Sequence, residues 1–197
     1  MKAIIAVILF VVLTYASEEI QQPKQKLVYG QDKCQGYGGM KDLDTEKFFQ
    51  GNWSLIYSTR SPRLSHSNMC RDYKITPFEN GTVEVTYEYD ENRCGNHYVA
   101  KCYGNQNSTR IDQFDFDCYL HNEREELTST HVNAYFLATD YDSYSVAYRC
   151  VQNEDHFEDN VFILFRPGKT DEDYAKTIAE HYGLTMGDFL ARKDATC

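Results

Sequence analysis

Gly51-Asn52-Trp53, the stretch Thr139-Asp140-Tyr141-Asp142-Ser143-Tyr144 and Arg166 at the end of the last strand-like run constrain this chain more than any other feature. Glycine, tryptophan and arginine in that order are what an up-and-down β-barrel needs to seal one end. Glycine lets the chain turn into the first strand, and the indole fills the barrel floor. A guanidinium from the last strand can then lie across the indole face, a contact worth roughly 0.5–2 kcal/mol.

Period-two patterning supplies the strands. Leu55, Tyr57 and Thr59 continue from Trp53 on one face of the first. After the turn Glu79-Asn80-Gly81, Val83, Val85, Tyr87 and Tyr89 alternate with Thr82, Glu84, Thr86 and Glu88. Runs at 97–104, 109–119, 127–138, 139–150 and 161–166, with a short segment at 71–76, bring the number to eight. The expectation is an all-β fold, an eight-stranded antiparallel up-and-down barrel whose interior admits one small ligand. A flanking α-helix follows, with Thr170 as N-cap, Asp173 at the capping-box position, Tyr174, Ile178 and Tyr182 at four-residue spacing, and Gly183 as the stop. Thr185 and Asp188 begin a second, shorter helical turn carrying Phe189 and Leu190.

Residues 1–16 read as a secretory signal: Lys2, an unbroken apolar run over 3–13, then Thr14-Tyr15-Ala16 for the peptidase. The run is too short to cross a bilayer as a helix. Residues 17–197 then form a single domain. Its cleavage removes one lysine and no acid, so the net charge becomes one unit more negative than −10. Nucleic acid and anionic membranes are therefore not expected partners. Asn52, Asn80 and Asn107 head N-x-S/T sequons; Asn80 and Asn107 sit in polar turns and are the expected glycan carriers, while Asn52 is pressed against the barrel mouth or floor. Seven cysteines in a secreted chain point to a disulfide framework, and their count leaves the pairing open.

Taken together, the Gly-x-Trp, TDYxxY and Arg segments resemble the signature of the lipocalins. Glu46-Lys47-Phe48-Phe49-Gln50-Gly51-Asn52-Trp53, Ala100-Lys101-Cys102, Phe116-Asp117-Cys118 and Gly183-Leu184-Thr185-Met186-Gly187-Asp188-Phe189-Leu190 sharpen this. With them the chain is similar to the triabin-like salivary lipocalins of blood-feeding triatomine bugs. Arthropod pigment and lipid carriers share the TDYxxY strand and two of the disulfides; the third cysteine pair favours the triabin-like group. The resemblance implies Cys34 with Cys150, Cys70 with Cys197, and Cys102 with Cys118. It leaves Cys94 as a free thiol, a capped one, or a link between two otherwise monomeric chains.

The resemblance also implies a binder rather than an enzyme. The theme is interference with host haemostasis, in platelet aggregation or vasoconstriction, by holding a biogenic amine, nucleotide or eicosanoid in the cavity. The alternatives are surface inhibition of a coagulation or contact-phase protease, and an endogenous pigment or lipid carrier. Arg60-Ser61-Pro62-Arg63 is a basic spot suited to an acidic protein surface. Where haem-carrying nitrophorins place a histidine, this chain reads Tyr87-Glu88-Tyr89, so neither that haem site nor any other cofactor is expected. If the nitrophorin register holds, Glu84, Thr86 and Glu88 face inward and Glu88 can hold a protonated amine. Simple alternation favours the opposite parity, with valine and tyrosine inside. Tyr57, Tyr135 and Tyr148 are candidate ligand contacts from the wall. The six histidines, His66, His97, His121, His131, His156 and His181, are scattered, and no hydrolase or metal motif accompanies them.

Overall fold

The computed structural model describes residues 26–197 except 32, 62–63, 92–95, 123–125 and 154–155. The signal reading of 1–16, the fate of Cys94, and Pro62 and Arg63 of the basic spot lie outside the described residues. Eight antiparallel strands close into a barrel: β1 (Trp53–Thr59), β2 (Asp72–Pro77), β3 (Val83–Glu91), β4 (Asn96–Gln106), β5 (Phe114–Asn122), β6 (Glu126–Thr139), β7 (Tyr144–Asn153) and β8 (His156–Phe165). Each strand pairs with the next, and β8 returns to β1. Closure between β1 and β2 is short, confined to Trp53 opposite Tyr73 and Ser54 opposite Asp72. Above that point a ninth strand, β9 (Phe189–Ala191), takes the free edge of β1.

The expectation of a second helix around Phe189 and Leu190 is thus corrected. The helical turn is only Met186–Asp188, capped by Thr185 N–H donating to Asp188 Oδ2 at 2.7 Å, and the next residues pair with β1 instead. An unpaired edge beside a buried core is costly, which outweighs local helix preference. The flanking helix α2 (Glu172–His181) starts one residue later than expected, because Asp171 rather than Thr170 accepts the N–H of Tyr174, at 2.9 Å. Gly183, at φ +68°, stops it. The strand expected from 109 begins only at Phe114: Asn107 Oδ1 accepts the N–H groups of Thr109 and Arg110, holding that stretch in a turn. Asn107 Nδ2, the atom a glycan would modify, donates to Asp115 Oδ2 at 2.5 Å, whereas Asn80 lies exposed in the β2–β3 turn. Asn52 adjoins the floor through its carbonyl, which accepts from Arg166 at 3.1 Å, yet the residue is exposed.

The closed end is built as the signature segments require. A single-turn helix, α1 (Thr45–Phe48), precedes Trp53, whose indole N–H donates to Phe48 O at 3.1 Å. Arg166 lies 3.7 Å from the indole ring centroid and donates to the carbonyls of Lys47, Phe48, Gln50, Asn52 and Tyr141. The TDYxxY turn presents that last carbonyl. Tyr141 sits at φ +68°, and Asp140 Oδ1 accepts the N–H groups of Asp142, Ser143 and Tyr144. Burial pulls the Asp140 carboxyl up, but these donors outweigh it and hold it below the ordinary range.

Two apolar clusters lie on opposite sides of the barrel wall. The inner one includes Phe48, Phe49, Trp53, Phe114, Phe116, Phe136, Phe162 and Leu164. The outer one packs Tyr57, Tyr135, Tyr148, Val161 and Ile163 beneath the N-terminal Leu27 and Tyr37, α2 and β9. Disulfides join Cys34 to Cys150, Cys70 to Cys197 and Cys102 to Cys118. The first and Asp159 tie the N-terminal segment to the outer wall: Asp159, 2% exposed, accepts Gly30 N–H at 2.7 Å and Tyr148 O–H at 2.8 Å. Desolvation raises the Asp159 pKa. A raised folded-state value means the folded chain holds that proton more tightly than the unfolded one. The stability it contributes is complete below the ordinary carboxylate range and is lost as pH rises through the elevated value. Denaturant titrations across that window should show the stability gap between wild type and Asp159→Asn drifting in favour of the variant as pH increases. Parallel pH profiles would refute the assignment.

Candidate functional site

The inward faces of the strands line a cavity of about 150 Å³, bounded by Trp53, Ile75, Val85, Phe116, Val132, Phe136 and Leu164 among others. Phe48 of α1 and Phe49, which caps it, rise into it, so the floor is aromatic. Gly104 stands opposite Phe116 on the neighbouring strand, and the Phe116 ring occupies the place a Cβ would take. The Cys102–Cys118 disulfide joins directly opposed residues of β4 and β5 and forms part of the lining.

Two guanidiniums interrupt this apolar surface. Arg71, 6% exposed, leads into β2 and places its guanidinium carbon 5.3 Å from the Tyr87 ring centroid and 4.8 Å from that of Tyr89. The Tyr73 side chain lies beside it, and burial raises the pKa of its hydroxyl. Arg149, on β7, has Nη2 3.7 Å from Glu158 Oε2, and Glu158 also accepts from Ser61 Oγ at 2.9 Å. Tyr73, Tyr87 and Thr130 complete the polar part of the lining.

None of the four residues singled out as ligand contacts lines this cavity. Glu88 points outward, its side chain 50% exposed, beside Lys74 at 4.0 Å and His97 at 3.6 Å. The valine and tyrosine parity of β3 faces inward, with Val83 4% exposed. This removes the amine site proposed at Glu88: turning that face inward would strand carboxylates in the core and expel four apolar side chains. Tyr57 misses the cavity because a β-bulge between Leu55 and Tyr57 shifts the register, so the alternation begun at Trp53 reverses. Tyr135 and Tyr148 lie opposite one another on the outward parity of β6 and β7. Tyr135 donates to Gln113 Oε1 at 2.6 Å, and Tyr148 accepts Gln35 N–H while donating to Asp159. Burial pushes the Tyr148 phenol up. All three tyrosines fasten peripheral segments to the wall. Sequence reasoning missed Arg71, Tyr73 and Arg149; the only available sign was a charged residue at, or just before, an inward position of a strand, which for Arg71 and Arg149 becomes legible once register is known.

Among the described residues no cluster of histidine, cysteine and carboxylate is arranged to hold a metal. His131 pairs with Asp117 at 2.8 Å on the exposed outer face.

Residues 24–178 match the family described as Triabin. The chain is 28% identical to Triafestin-1 of Triatoma infestans over 202 aligned positions, covering 98% of this chain and 92% of that one. It is 25% identical to Pallidipin of Meccus pallidipennis, covering 100% and 98%. Among solved structures, the tryptamine complex of the amine-binding protein of Rhodnius prolixus superposes with a TM-score of 0.69 at 14% identity, covering 81% of this chain and 86% of that one.

Proposed function

This chain belongs to the Triabin family, and from that premise we propose that it is a secreted salivary lipocalin which captures a small host agonist in its barrel and thereby impairs platelet aggregation or vasoconstriction. The observation that carries the reading is the apolar cavity of about 150 Å³ inside a barrel of eight closed strands. An apolar void of that size gains by admitting an apolar guest, since its walls otherwise lack contacts on one side. Removal of residues 1–16 and glycosylation at Asn80 and Asn107 belong to the same proposal. Binding rather than catalysis fits a lining composed almost wholly of unreactive side chains.

Trp53 is the single tryptophan and lines the cavity, so its emission reports directly on occupancy. Titration with non-fluorescent amines, nucleotides and eicosanoids should change that emission saturably for one class. Native mass spectrometry of the same mixtures, with haem included, should show one added guest mass. A second reading, inhibition of a coagulation or contact-phase protein by the outer surface, draws support from the cavity's size, below the roughly 300–1,000 Å³ usual for ligand pockets. No bound mass from the panel, together with slowed clotting, would replace the first reading by the second.

A further inference from the structure

Resting on capture of a guest in the calyx, we infer that the guest is an organic monoanion, an apolar body carrying one carboxylate, and that Arg71 is its recognition residue. The charged residues lining the cavity, among the described residues, are Arg71 and Arg149, and no carboxylate joins them there. Arg149 has Glu158 as counter-ion at 3.7 Å. Arg71 has none within ion-pair distance among the described residues, and its Nε is buried without a hydrogen-bond acceptor. Its surroundings are the faces of Tyr87 and Tyr89 and the Tyr73 hydroxyl, which leave the charge uncompensated.

A buried guanidinium with an open donor is costly to keep unless something completes it, and a carboxylate matches its planar fork. A bound carboxylate would accept from Arg71, with the Tyr73 hydroxyl beside it. The apolar body would extend towards Ile75, Phe116 and Phe136. An ammonium would instead meet the uncompensated charge of Arg71, which is a repulsive element against amines. The cavity volume favours a short acyl chain or a single fused ring over a larger skeleton.

Calorimetry on the disulfide-bonded protein with indole-3-acetate, indole-3-acetamide, tryptamine, octanoate and octylamine tests this. The carboxylates should bind, the isosteric neutral amide about 10- to 100-fold more weakly, and the two amines not measurably. Arg71→Gln should lower the affinity for the acid to that for the amide while leaving the amide's unchanged. If Arg71→Gln does not fold, the ratio of acid to amide on the wild-type protein decides alone. Tighter octanoate would indicate a fatty-acyl guest, and tighter indole-3-acetate an aryl one. Equal binding of acid and amide, tighter binding of tryptamine, or binding by none of the five would overturn the inference. The reading of capture falls only if the wider panel of amines, nucleotides, eicosanoids and haem also leaves the protein empty.

Discussion

Replacing Trp53 by alanine is expected to destabilise the protein by about 3–5 kcal/mol, among the largest effects of any single substitution in this chain. The indole is 1% exposed, packs on Phe48 at a ring separation of 5.3 Å, and carries the Arg166 guanidinium on its face. Truncation opens a void at the barrel floor. The surrounding rings cannot collapse into it, because Phe48 and Phe49 are held at the end of α1 and Phe136 on β6. For a chain of this size the loss corresponds to a fall in melting temperature of roughly 6–20 °C. Trp53→Phe should cost much less, retaining the ring and losing mainly the bond to Phe48 O, about 1 kcal/mol. Denaturant unfolding followed by far-ultraviolet circular dichroism measures both. Near-equal losses for the two variants would mean that the indole does not fill the floor as described.

Removing the Cys34–Cys150 disulfide should cost about 4–5 kcal/mol, and removing Cys102–Cys118 about 3 kcal/mol, on the chain-entropy account. The first spans 116 residues and the second 16. The paired variants Cys34→Ala with Cys150→Ala, and Cys102→Ala with Cys118→Ala, keep the remaining bridges and separate the two contributions. The order should be visible in denaturation midpoints. A larger loss from the short bridge would show that packing of its sulfurs against the cavity, rather than restriction of the unfolded chain, dominates. Loss of Cys34–Cys150 should also loosen the chain around Cys34 first, because beyond that bond its neighbours are held by hydrogen bonds such as Gly30 on Asp159, Cys34 on Gln152 and Gln35 on Tyr148.

The elements legible in the sequence were those whose cause is local or whose residue type has few uses. Gly51, Trp53, Tyr141 and Arg166 meet at the barrel floor because no other arrangement satisfies a buried indole, a left-handed turn and a guanidinium together. The alternation of Val83, Val85, Tyr87 and Tyr89 decided the parity of β3 against the competing register, since these four side chains outweigh the carboxylates between them. The site residues were less legible. Tyr57 alternates correctly with Trp53 in sequence, yet one extra residue at the bulge moves it to the outer wall. Tyr135 and Tyr148 have the composition of ligand contacts and the position of structural anchors.

Composition and patterning therefore determined by themselves that this chain closes eight strands into a barrel plugged by Trp53 and Arg166, because burial of apolar faces and the special conformations of a few residues are properties of short segments. Only the tertiary structure decided what the barrel encloses. Whether Arg71 or Glu88 meets the cavity depends on register, bulges and the two-residue seam between β1 and β2, and these are settled by pairing among strands distant in the chain. One step along a strand exchanges inside for outside, so the charge presented to a guest is a consequence of assembly that no single segment encodes.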